Sequence, residues 1–210
     1  HLSIRRQRQM CIRDRLNIGE SMYKYFKRNR FSTKSSDIKG NSEKHIGTIQ
    51  KKYSNIFQRI ISFFTMGFKF NQFTIYDNHQ HLIAHVKVKT QMTQKHFEVT
   101  YYSNSGESQI LFDKQSNGRE ETYGIMKYNG VIYNIHSDEN RYTVIKDTKR
   151  ENEIASWKQI GDYAHVEGNH EVFNENQLLF ILILHSFANV HVTRSIWDSF
   201  TPDTAGPPLI

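Results

Sequence analysis

The chain has almost no cysteine and almost no proline, and each shortage constrains it. Cys11 is the only thiol in 210 residues, so no disulfide can form within the chain and no cysteine-based metal centre exists, which fits a reducing, cytoplasmic setting. All three prolines, Pro202, Pro207 and Pro208, fall in the last nine positions, and none interrupts an element between Met22 and Thr201. No apolar run reaches the roughly 18 residues that a helix needs to cross a bilayer. The basic opening lacks the apolar stretch and small-residue cleavage site of a signal peptide. Nucleophile elbow, phosphate-cradling glycine loop and dinucleotide fingerprint are all missing, and the adjacent carboxylates Glu120-Glu121 and Asp138-Glu139 sit in loop-like sequence. Nothing therefore speaks for an enzyme, a catalytic residue or a cofactor.

What is present is aromatic and basic. With 14 Phe, 11 Tyr and 37% hydrophobic residues, the chain can bury one sizeable core, and its length suits a single domain. The net charge of +7 is lopsided. Residues 1–21 carry five Arg against Asp14 and Glu20, a balance of +3, and residues 22–69 carry eleven Lys or Arg against Asp37 and Glu43, a balance of +9. The remainder stands at −5. A basic N-terminal third attracts acidic partners such as an anionic membrane surface or nucleic acid.

Residues 1–21 are expected to be a non-native leader. SIRRQRQMCIRDR resembles a peptide made when sequencing-adapter DNA is translated, and Met22, opening MYKYFKRNRF, is the natural start. The rival account is a genuine basic arm.

From Tyr23 onward the pattern is short strands and polar turns. Tyr23, Tyr25 and Phe31 open one strand, and KHIGTIQKKY (residues 44–53) forms another after a Gly40-Asn41 turn. Ser54 then N-caps an amphipathic helix through about Thr65, with Ile56, Phe57, Ile60, Ile61 and Phe64 at helical spacing and Arg59 its only charge. Beyond Gly67 the period changes to two. FNQFTIYD pairs with HLIAHVKVK, HFEVTYY with SQILFD, ETYGIMKY with VIYNIH across Asn129-Gly130, RYTVIKD with EIASWKQ, and DYAHVEG follows. These elements predict a mainly β fold: a closed antiparallel barrel of about 10–12 strands.

One segment breaks the alternation. After Asn174, read as an N-cap, QLLFILILHSFANV is apolar on every side of a helix, so it must be buried in protein or lipid. Its uncharged stretch, Gln177 to Val190, spans about 21 Å at 1.5 Å per residue, short of the roughly 30 Å bilayer core. It is therefore the central helix that fills the barrel, over about residues 175–190.

These hairpins of the FTIYDNHQHLIAHVKVK type, followed by one apolar helix, resemble the tubby C-terminal-like superfamily, which includes LURP-one-related proteins and phospholipid scramblases. MYKYFKRNRF and KHIGTIQKKYSNIFQRII are similar to the start of small bacterial members. The resemblance spans about Met22 to Val192, leaving 193–210 as a flexible tail, and implies a twelve-stranded barrel threaded by its helix. For tubby proper it also implies binding of phosphatidylinositol bisphosphate through surface Lys and Arg, although no motif here aligns with that pocket.

The candidate contact surface is Lys44, Lys51, Lys52, Arg59 and Lys69, interleaved with Tyr53, Phe57, Phe63, Phe64, Phe68 and Phe70. The reading is a non-catalytic module that binds anionic phospholipid headgroups or another acidic ligand, peripheral to the inner face of the membrane. A plainer account fits the same residues and is the commoner outcome: the helix packs on the barrel and its charges are merely solvated. Docking of another polypeptide on Phe63, Phe64 and Phe68 is the alternative from a different class, with a hydrolase behind it. Nucleic acid is disfavoured because no RNP-type motif is present. His79, His81 and His85 share strand parity, but the first two belong to a turn, and His165 and His170 lack the HExxH spacing, so no metal is expected.

Overall fold

The computed structural model describes residues 21–190, apart from residue 30 and residues 65–70, 92–93, 104–105, 117–120 and 139–141. Residues 1–20 of the expected leader, the expected tail, Phe68, Lys69 and Phe70 lie outside the described residues, whereas Ser21 opens the first strand. Alternating sequence becomes twelve strands: β1 (Ser21–Phe26), β2 (Ser36–Lys39), β3 (His45–Lys52), β4 (Gln72–Asp77), β5 (Leu82–Gln91), β6 (Gln94–Ser103), β7 (Gly106–Ser116), β8 (Thr122–Tyr128), β9 (Val131–Ser137), β10 (Thr143–Asp147), β11 (Glu153–Ile160) and β12 (Tyr163–Gly168). Each pairs antiparallel with the next, and β1 pairs with β12 from Ser21↔Gly168 to Phe26↔Tyr163, which closes the barrel. Inward positions follow the period of two, as in Gly124, Met126 and Tyr128 of β8 or Ala164, Val166 and Gly168 of β12.

Among the described residues three helices accompany the barrel: α1 (Ile56–Phe64), α2 (Glu171–Glu175) and α3 (Gln177–Asn189). Helix α3 runs inside. Leu179, Phe180, Ile181, Leu182, Ile183, Leu184 and Phe187 are each at most 1% exposed, as an all-apolar helix requires. Two wall glycines let it sit so close. A Cβ on Gly124 would lie 2.7 Å from the Phe187 ring and 2.4 Å from the Asp113 carbonyl oxygen, and one on Gly47 would lie 3.2 Å from Leu178 and 2.2 Å from the Tyr76 carbonyl oxygen.

Local details differ from the sequence reading. Strand β1 ends at Phe26, leaving Phe31 in the following connection, and β2 was not expected, since four residues are too few to display alternation. Helix α1 is capped by Asn55, whose side chain accepts from the Gln58 N–H at 2.8 Å, rather than by Ser54. Asn174 lies within α2, which His170 caps by accepting from the Val172 N–H. The break between α2 and α3 falls at Asn176 because its side chain is tied to the wall: Oδ1 accepts from the Tyr101 and Tyr128 hydroxyls, both at 3.0 Å, and Nδ2 donates to the Val172 carbonyl.

The barrel has two unlike ends. Helix α3 starts at the turn end, which carries the β4–β5, β8–β9 and β10–β11 hairpins, and stops at the loop end, which carries the β1–β2 connection and α1.

Candidate functional site

The loop end gathers the chemistry. Asn55 starts α1, the Ser54 N–H donates to Gln58 Oε1, and the nine residues that follow include six large apolar ones. Ile56, Phe57, Phe63 and Phe64 remain 66–79% exposed, so this helix does not bury its apolar face on the barrel. It touches the β1–β2 connection, residues 27–35, where the Phe31 and Phe63 rings lie 5.7 Å apart. That connection is held to β3 by Gln50 Nε2 donating to the Thr33 carbonyl at 2.8 Å. Arg28, Lys34, Lys52 and Arg59 are exposed on the same end. Lys52 leans on Tyr76, its ammonium 5.0 Å over the ring and donating to the hydroxyl.

Of the five basic residues singled out from sequence, the four that are described, Lys44, Lys51, Lys52 and Arg59, do not form one patch. Lys52 and Arg59 share the loop end. Lys44 lies in the β2–β3 turn at the opposite end, separated from Lys52 by the length of β3, about 26 Å at roughly 3.3 Å per residue. Lys51 turns inward, 7% exposed, with its ammonium 5.2 Å over the Tyr53 ring. Its parity with Ile49 is the signal that carried this information.

Beneath the loop end the core contains titratable groups. Trp157 Nε1 donates to the Tyr25 hydroxyl at 2.8 Å, and that hydroxyl lies 2.8 Å from His185 Nδ1, with Phe73 edge-on to the imidazole. Burial above all, helped by Lys27 and Lys51, pushes the His185 pKa down to about 3, so the ring is neutral. Lys114 Nζ donates to the Phe187 and Val190 carbonyls at 2.5 and 2.9 Å, capping the C-terminus of α3. Burial, and then Lys95 directly across the β6–β7 ladder, lower its pKa to about 7. The sequence reading missed both lysines, although each shares inward parity with its neighbours, Phe97 for Lys95 and Phe112 for Lys114. Among the described residues no three His, Cys, Asp or Glu side chains converge as a metal site, and no helix is long and apolar enough to cross a membrane.

A closed twelve-stranded antiparallel barrel filled by its own C-terminal apolar helix agrees with the comparison by sequence: residues 23–189 match the Tubby C-terminal like domain. The chain belongs to this family. Among solved structures, this tubby-like barrel is similar to the crystal structure of a protein from Arabidopsis thaliana, with 9% identity and a TM-score of 0.43 over 78% of this chain and 90% of that one. No curated protein is significantly similar to it.

Proposed function

We propose that this tubby-like barrel is a non-catalytic module that docks on anionic phospholipid headgroups through its loop end, at the inner face of the membrane. The observation that carries the reading is α1, where Ile56, Phe57, Phe63 and Phe64 stay 66–79% exposed on a nine-residue helix. Leaving such side chains in water forgoes about 1.5–3 kcal/mol each relative to full burial, so a surface of this kind is built to be covered. Arg28, Lys34, Lys52 and Arg59, exposed at the same end, favour a negatively charged cover, each contributing about 1 kcal/mol near an anionic leaflet. Membership of a family whose founding domain binds phosphoinositides supports the same choice.

Flotation of the full chain with vesicles tests it. Binding is expected with vesicles containing anionic lipid, is expected to weaken with salt, and is expected to disappear in the double variant Phe57→Ser/Phe64→Ser. Failure to float with either anionic or zwitterionic vesicles, or flotation indifferent to the double change, overturns the reading. Salt-resistant capture of a polypeptide that Phe63→Ala abolishes, without any vesicle binding, replaces lipid with a protein partner.

A further inference from the structure

The barrel wall has one weak seam. Strands β1 and β2 share a single Cα pair, Lys24↔Lys39, whereas β1 meets β12 over six positions. Beyond that pair, toward the loop end, the two strands diverge around a cleft of about 570 Å³, within the roughly 300–1,000 Å³ range of small-molecule sites. The cleft is closed along the strand direction at both limits. The Lys24↔Lys39 pair bounds one limit, and Arg28 bridges the other, its Nε and Nη2 donating to the Ser35 carbonyl at 3.3 and 3.1 Å. No extended peptide can thread through, so an occupant must be compact.

Its polar groups have a definite arrangement. The Lys24 and Lys39 ammoniums, one from each side of the seam, both hold the Glu43 carboxylate, Lys39 at 3.3 Å. Glu43 comes from the β2–β3 turn in a left-handed backbone conformation, φ +58°, which a non-glycine residue seldom adopts. The two lysines hold its carboxyl below the usual carboxylate range. Asp37 also lines the cleft, but its carboxylate is turned to His45, 3.7 Å away. Ser36, which also lines the cleft, is 3% exposed, and its hydroxyl is the one buried side-chain polar atom among the described residues that lacks a hydrogen-bond partner. Buried polar groups are nearly always paired, so an orphan hydroxyl on a residue that lines the cleft is a donor left over for an acceptor there.

We propose that this cleft binds a compact phosphorylated or carboxylated anion: Lys24, Lys39 and Arg28 supply the counter-charge, Ser36 donates to it, and Glu43 is a built-in placeholder that the ligand displaces. The exchange is favourable because the Glu43 salt bridges are solvent-exposed and individually weak. This site is separate from α1 and does not depend on the lipid reading above.

The test uses the full chain in vesicle-free solution, with inorganic pyrophosphate as probe and amide chemical shifts as readout. Shifts are expected at residues 24–28 and 35–43. Glu43→Gln, which removes the competing charge, is expected to tighten binding about tenfold, and Lys39→Ala to weaken it by about the same factor. Ser36→Ala is expected to weaken binding without lowering the melting temperature, which separates a ligand contact from a structural one. The Glu43→Gln gain is then measured on vesicles carrying phosphomonoester headgroups. A gain with pyrophosphate alone assigns a soluble anion, and a gain on vesicles assigns a headgroup. Absence of a gain in both arms, or pyrophosphate shifts confined to residues outside the seam, overturns the proposal. The Phe57→Ser/Phe64→Ser variant is expected to keep pyrophosphate binding, so failure of the lipid reading remains distinguishable.

Discussion

At the turn end, β4 reaches β5 through residues 78–81, with the Asp77 carboxylate accepting from the His79 and His81 N–H groups at 2.9 and 2.8 Å, and β8 reaches β9 through Asn129-Gly130, both at positive φ. At the loop end, β1 needs residues 27–35 to reach β2, and β3 needs residues 53–71, including α1, to reach β4. The turn end satisfies its polar groups locally and anchors α3 through Asn176. The loop end buries Lys95 and Lys114, half-buries His185, and also carries the exposed apolar helix α1. The contrast teaches where the barrel is optimised for holding itself together and where it carries groups that stability alone does not call for.

The contrast can be broken most severely along α3, which both ends share. Leu182→Asp places an unpaired carboxylate at a fully buried position, a cost of several kcal/mol against a total stability of about 5–15, and circular dichroism should show no cooperative unfolding. A folded, soluble Leu182→Asp protein would refute the core-helix assignment.

Next come the buried bases of the loop end. Lys114 has a folded pKa of about 7 against 10.5 for an ordinary lysine, so between these values the unfolded chain binds more protons. Stability should climb as pH rises from 7 toward 10.5, and chemical denaturation should show that climb vanish in Lys114→Met. His185, held near pKa 3 against 6.5, acts at the other side of neutrality: the unfolded chain takes up the proton first, and stability should fall as pH drops from 6.5 toward 3. His185→Gln should flatten that limb.

The smallest expected stability effect belongs to α1. Phe57→Ser/Phe64→Ser removes side chains that are 71% and 79% exposed and should change unfolding free energy by only about 0.5 kcal/mol per site, while abolishing vesicle flotation. A large drop in melting temperature would mean that α1 is a packing element after all.

The turn end was almost fully readable from sequence. Asn129-Gly130 flanked by alternating apolar residues specifies its own hairpin, and an all-apolar stretch of limited length specifies a buried helix, because each signal is local. The loop end was read less well for a matching reason. Whether Lys51 faces in and Lys52 faces out depends on register, and whether α1 rests on the wall depends on what the wall leaves uncovered. Lys44 and Lys52 look like neighbours in a basic segment, yet a strand of eight residues carries them to opposite ends. The seam cleft draws on β1, β2, β12 and the β2–β3 turn, and no window of sequence contains that combination.

The pairing of β1 with β12 also sets a timetable for synthesis. Strand β1 leaves the ribosome long before β12, which it needs before their ladder can form, and the helix that fills the interior, residues 177–189, is made after all twelve strands. Until then the nascent sheet presents an apolar inner face lined by Tyr25, Phe97, Phe112 and Trp157 with nothing of its own chain to cover it. A ribosome from which β12 has just cleared the exit tunnel while residues 177–189 are still inside it would therefore hold a nearly complete wall around an empty centre, and aggregation during translation should be most acute in that interval.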